Sequence, residues 1–120
     1  MDEVKLLVVD DDADNARSLA DVLAFGGYSV EIAHDALSAE RMVSEFHPLA
    51  VLIDLNLPQV DGYELAGRLR SAHGNDVVLI AVTGTDERDA RAASLFALVD
   101  HHFLKPVDLK KLHKVLPPLG

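Results

Sequence analysis

Four places in the chain set a reactive or charged side chain directly after an apolar run. Asp54 follows Val51-Leu52-Ile53, Asp10-Asp11-Asp12 follows Leu6-Leu7-Val8-Val9, Thr83-Gly84 follows Ile80-Ala81-Val82, and Lys105-Pro106 follows Phe103-Leu104. A carboxylate beside Ile and Leu is costly unless a partner or a metal compensates it. Acids of this kind suit a hard divalent cation, Mg²⁺ first and Mn²⁺ as its substitute, which keeps several waters and takes a phosphate oxygen. The Thr83 hydroxyl and the compact Lys105 ammonium suit phosphoryl oxygens, and Gly84 leaves the backbone clear for an incoming ligand. A carboxylate polarised by such a cation is a competent nucleophile toward phosphorus. Asp54 is therefore the candidate phosphoacceptor.

Bringing these places together demands a particular set of elements. Lys5–Val9 reads as a strand, and Asn15–Phe25 as a helix with Ala16, Leu19, Ala20 and Leu23 at helical spacing. Gly26-Gly27 stops that helix. A strand over Tyr28–Ala33, a helix over Ala36–Phe46 ended by His47-Pro48, and an apolar strand over Leu49–Ile53 follow. The pattern continues with a helix at Tyr63–Ala72, a strand at Val77–Val82, a helix at Asp86–Leu98, a strand at His101–Leu104 and a helix at Leu109–Leu116. Continuous apolar strands alternating with helices imply a parallel sheet covered on both faces, an α/β doubly wound fold. Right-handed crossovers put every strand's carboxyl end on one edge, where such sheets bind ligands. If the first and third strands are neighbours, Asp54 faces Asp10 and Asp11 across about 4.8 Å. Two unit charges about 4 Å apart repel by about 4 kcal/mol at an effective dielectric near 20, so the cluster calls for a cation.

The bulk properties narrow the field. With 120 residues, 49% of them hydrophobic, the chain is expected to be one domain, residues 1–120 with a core from about 4 to 116. A formal net charge of −9 with no Lys/Arg block argues against a direct nucleic-acid surface. The absence of cysteine excludes disulfides and thiol chemistry. Apolar runs of about six residues fall far short of the roughly 20 that span a bilayer. Met1-Asp2-Glu3-Val4-Lys5 lacks the basic lead-in of a signal peptide, so no membrane insertion and a cytoplasmic location are expected.

Taken in order, LLVVDDDADN, IDLNLP with VDGYEL, AVTG and FLKPVD resemble a response-regulator receiver domain of two-component and phosphorelay signalling, over roughly Val4 to Leu116. DHHFLKPVD is similar to receivers associated with hybrid histidine kinases. The resemblance implies a flavodoxin-like, five-stranded parallel sheet in the order 2-1-3-4-5 between five helices. It implies Asp54 as phosphoacceptor, with Asp10, Asp11 and Asp54 on the metal and Asn56 lending its backbone carbonyl. Thr83, Gly84 and Lys105 would meet the phosphoryl group, with a cis bond before Pro106, and Asp61-Gly62 would turn into the third helix. Where the family often has Tyr or Phe three residues before the Lys, this chain has His102, and Ala97-Leu98-Val99 stands where a Gly commonly closes the fourth helix. Implied partners are a histidine kinase or histidine phosphotransfer protein and a downstream effector, with a homodimer through the fourth-helix, fifth-strand and fifth-helix face as a further expectation. The only catalysis implied is the domain's own phosphotransfer and dephosphorylation.

Other readings compete. Asp10 or Asp12 serves equally well as a helix N-cap, Thr83 as a loop hydroxyl and Lys105 as a solvated cation. His101 and His102 point to opposite faces of a strand and so do not chelate one ion. Leu95, Phe96, Leu98 and Val99 form either a partner surface or local packing. A haloacid-dehalogenase-like phosphatase uses a DxD pair, but Asn56 replaces its general acid, and the chain leaves no length for a cap domain. A flavodoxin-like FMN binder would place its phosphate against Asp10-Asp11-Asp12, which repel it. A degenerate receiver that binds partners without phosphorylation is the third alternative.

Overall fold

The computed structural model describes residues 4–54, 62–83, 99–104 and 107–118, with Tyr63, Thr83 and Leu104 described by their backbone alone. Five strands and four helices lie among them: β1 (Lys5–Val9), α1 (Ala13–Phe25), β2 (Ser29–Ala33), α2 (Ala36–Phe46), β3 (Ala50–Asp54), α3 (Gly62–His73), β4 (Val78–Thr83), β5 (His101–Leu104) and α4 (Leu109–Val115). The helix expected over 86–98 falls outside the described residues. The strands are all parallel and lie in the order β2-β1-β3-β4-β5, the doubly wound sheet that the sequence implies.

Strand alternation divides the core in two. Leu7, Val9, Val51 and Ile53 pack with Ala39 and Val43 of α2 and Leu65 and Leu69 of α3. Their neighbours Leu6, Val8, Ala50 and Leu52 pack with Ala16 and Leu23 of α1 and Leu112 of α4. Since successive side chains leave opposite faces, a strand covered on both sides must be apolar throughout. That is why β1 and β3 show no polar alternation.

The boundaries differ from expectation for identifiable reasons. Helix α1 begins two residues before Asn15, because the Asp12 carboxylate accepts the N–H groups of Asp14 (3.0 Å) and Asn15 (3.1 Å) and caps an earlier turn. Gly27, at φ 112°, takes the left-handed conformation that lets the chain reverse into β2. Strand β3 starts at Ala50 and not at Leu49, which is partly exposed and gives its N–H to the Lys5 carbonyl at 2.8 Å. It runs one residue further than expected and includes Asp54. Val99 is buried and belongs to the core on the α2/α3 side, so the proposed surface patch loses that member, while Leu95, Phe96 and Leu98 lie outside the described residues.

At the amino edge of the sheet, polar groups are paired. Arg70, near the end of α3, donates to Asp100 Oδ2 at 2.8 Å and to the carbonyls of Gly74 (2.7 Å) and Val77 (3.3 Å). The same Asp100 oxygen accepts the Leu79 N–H at 2.8 Å. Tyr28, buried just before β2, donates its hydroxyl to the Pro117 carbonyl at 3.0 Å and meets His113 edge-on, with ring centres 5.9 Å apart. Burial raises the Tyr28 phenol above its ordinary range.

Candidate functional site

Strand pairing assembles the carboxyl edge. Val9 of β1 pairs with Ile53 of β3, so Asp10 and Asp54 each come one residue later on adjacent strands. Asp54 pairs with Val82 of β4, which puts Thr83 next along that strand, and Thr83 pairs in turn with Leu104 of β5. The chain runs from β1 out to β2 and returns to form β3 on the other side of β1. The gap between β1 and β3 is therefore the switch point where open α/β sheets take their ligands.

Carboxylate oxygens of Asp10, Asp11 and Asp54 all lie within 4.8 Å of one another. Asp10 and Asp54 are each only 6% exposed, the buried charged residues among those described, while Asp11 faces solvent. Two oxygens on opposite sides of a Mg²⁺ ion stand about 4.2 Å apart, and somewhat more around Ca²⁺. The three acids thus fit a hard divalent cation, with the Asp11 side open to retained waters.

Local bonds fix the arrangement. Asp10 gives its N–H to the Ala33 carbonyl at 3.0 Å, and its Oδ1 accepts the Asp12 N–H at 3.0 Å. His34 lies 3.2 Å through Nδ1 from the Asp10 carbonyl, and since a carbonyl only accepts, that nitrogen carries the proton. The sequence assigned no role to His34 or to the Asp12 amide, because both act through main-chain atoms whose directions only the folded loop defines. Asp12 itself is the N-cap of α1. The cap and the acid cluster therefore divide the acidic triplet between them.

A cleft of about 500 Å³ between α1 and the start of α4 has Leu19, Val22, Leu52, Val82 and Leu109 in its lining, and Asp10 and Asp54 also face it. His102 is half-buried on β5, in register with Ala81. Asn56, Gly84, Lys105 and Pro106 lie outside the described residues, as does Asp61, while Gly62 opens α3. The structure therefore brings together Asp10, Asp11 and Asp54, with Thr83 placed beside them by register alone.

A five-stranded doubly wound sheet with acids from two strand ends at its switch point defines a flavodoxin-like protein of the receiver type. The family model described as "Response regulator receiver domain" matches residues 6–117, and the chain belongs to that family of two-component signalling proteins. It is 40% identical over 109 residues to the response regulator MprA of Mycobacterium bovis, an alignment that spans 91% of this chain and 47% of that protein. The chain thus spans about half the length of the relatives it matches. A CheY-like receiver domain from Methanospirillum hungatei superposes with a TM-score of 0.85 at 30% identity, covering 94% of this chain and 90% of that one. A response regulator from Burkholderia pseudomallei, solved with a phosphorylated aspartic acid, a calcium ion and citrate, superposes with a TM-score of 0.85 at 25% identity, over 97% of this chain and 67% of its own. Among the described residues no helix is long and apolar enough to cross a membrane.

Proposed function

We propose that Asp54 accepts a phosphoryl group in a Mg²⁺-dependent transfer from a histidine kinase or histidine phosphotransfer protein. The gathering of Asp10 and Asp11 around buried Asp54, with oxygens within 4.8 Å, carries this reading. The cation, held by Asp10, Asp11, Asp54 and the Asn56 carbonyl, would neutralise negative charge as donor and acceptor approach. Asp54 supplies the nucleophile: one of its oxygens forms the bond to phosphorus while the bond to the donor's leaving atom breaks and takes its electron pair with it. Thr83 would hydrogen-bond the phosphoryl group, Gly84 would leave the backbone clear for it, and Lys105, before Pro106, would balance its charge. The phosphorylated aspartate and the calcium ion in the Burkholderia relative support an aspartate as acceptor and a divalent cation in such a domain.

The apolar cleft against Asp54 gives a donor an approach from the α1 and α4 side. Modification adds about 1.5 to 2 negative charges and shifts an equilibrium that changes binding of a downstream effector, with His102 on the β5 edge as part of the relay. We take residues 1–120 as a single cytoplasmic receiver domain whose only chemistry is its own phosphotransfer and dephosphorylation, with dimerisation through the 86–98, β5 and α4 face as its expected self-association. Incubation with acetyl phosphate and Mg²⁺, followed by intact mass, tests the reading. Wild type should gain one phosphoryl group and Asp54→Asn none; no gain in wild type would favour a phosphorylation-independent binding module.

A further inference from the structure

Among the described residues strand β5 has four and lies at the edge of the sheet beside β4. So short a strand has few ladder bonds to hold its register. A slip of one residue would carry its end about 3.3 Å along and exchange its faces, taking Phe103 away from the core that it packs against on the α1/α4 side. Something must therefore fix where β5 starts.

Asp100, the residue before the strand, holds Leu79 at two points. Its N–H donates to the Leu79 carbonyl at 2.8 Å, and its Oδ2 accepts the Leu79 N–H at 2.8 Å. The first β5 residue, His101, pairs with Ile80, so Leu79, which faces Val51 on the β3 side, has no strand residue opposite it on the β5 side, and the carboxylate stands in there for the missing main-chain carbonyl. Arg70 grips the same oxygen at 2.8 Å while its other arm holds the Gly74 and Val77 carbonyls. The end of α3, the approach to β4 and the head of β5 are thereby tied into one unit. Leu104, at the far end of the strand, pairs with Thr83 and immediately precedes Lys105.

We propose that Asp100 and Arg70 are positioning residues for phosphoryl transfer: by fixing the first residue of β5 they set where Lys105 leaves the last. This rests on the reading of Lys105 as the phosphoryl-pairing cation. The lever is five residues of extended chain, about 16 Å, and an error of about 1 Å at a reacting group can cost about 100-fold in rate.

The test is a double-mutant cycle with saturating acetyl phosphate and Mg²⁺, following phosphoryl incorporation in wild type, Asp100→Ala, Lys105→Ala and the double variant. Asp100→Ala should slow incorporation about tenfold when Lys105 is present and less than about twofold when it is absent. The Mg²⁺ midpoint should stay unchanged, because the acids around Asp54 are untouched. Asp100→Asn keeps an oxygen for the Leu79 N–H and should recover part of the rate. If Asp100→Ala does not fold at the assay temperature, Arg70→Gln goes through the same cycle. Equal slowing in both Lys105 backgrounds would overturn the proposal, leaving only a structural role. A silent Asp100 or Arg70 variant beside a defective Lys105→Ala would also overturn it, with Lys105's role intact. Wild-type rates in Lys105→Ala itself would overturn that role and the positioning together.

Discussion

The two edges of the sheet treat acidic side chains in opposite ways. At the amino edge, Asp100 receives a guanidinium and a main-chain N–H at 2.8 Å each, and its charge helps hold β5 to β4. At the carboxyl edge, Asp10, Asp11 and Asp54 bring their oxygens within 4.8 Å of one another, two of them buried. Like charges this close cost stability unless a cation joins them. The contrast separates an acid placed for stability from acids that we propose are placed for chemistry. It also sets the sign of what happens when each is neutralised.

The largest effect should come from the acceptor. Asp54→Asn should abolish phosphoryl incorporation outright, while Asp100→Asn should still reach full modification, only more slowly, as judged by intact mass over time. A variant lacking the Asp54 carboxylate that still gained the group would place the chemistry elsewhere. Next in size is the metal. At about a hundredfold excess over its dissociation constant, a cation that binds only the folded chain adds about 2.7 kcal/mol. Mg²⁺ should therefore raise the urea midpoint of wild type, and Asp10→Asn or Asp54→Asn should lose most of that rise. Asp100→Asn should keep it.

What the sequence conveys about the two edges differs for a physical reason. The carboxyl edge was legible because parallel strands end on one edge, so acids placed after β1 and β3 would meet there if those strands were neighbours. The strand-end rule puts Asp10, Asp11 and Asp54 on that edge, and the pairing of β1 with β3 gathers the three. The strand order came from family resemblance, since apolar runs alone do not say which strands are neighbours. The amino edge was not legible. Arg70 and Asp100 are thirty positions apart, and neither stands in a pattern that announces the other. Tyr28 read as an ordinary strand residue, although its hydroxyl reaches Pro117 across eighty-nine positions. Boundaries slipped where a side chain intervened, as where the Asp12 cap drew α1 back to Ala13.

A smaller effect tests the sign directly. Asp11 is exposed, so its repulsion with its neighbours is close to the value in water, about 1 kcal/mol at about 4 Å. Without divalent cations, Asp11→Asn should therefore raise the free energy of unfolding by up to about that amount. Asp100→Asn should lower it, and Mg²⁺ should erase or reverse the Asp11→Asn gain. Destabilisation by both substitutions in chelator would mean that the carboxyl edge is not a cluster of unfavourable charge.

The smallest effect is the pH dependence of the amino-edge clasp. Burial pushes the Asp100 carboxyl up, but the Leu79 N–H, the Arg70 guanidinium and His101 outweigh it and hold the group below the ordinary carboxylate range. The folded chain therefore takes up this proton less readily than the unfolded chain, whose Asp titrates near about 3.9. The stability that Asp100 contributes is full above that value and drains away as pH falls through the lower folded value. Because the pair is partly exposed, with side-chain exposures of 20% for Arg70 and 41% for Asp100, solvent screening keeps the contribution under about 1 kcal/mol. In urea titrations the gap between wild type and Asp100→Asn should hold steady from about pH 8 to about pH 5 and shrink below about pH 4. Widening of that gap on acidification would reverse the sign, and with it the claim that this edge uses its acid to hold the sheet together.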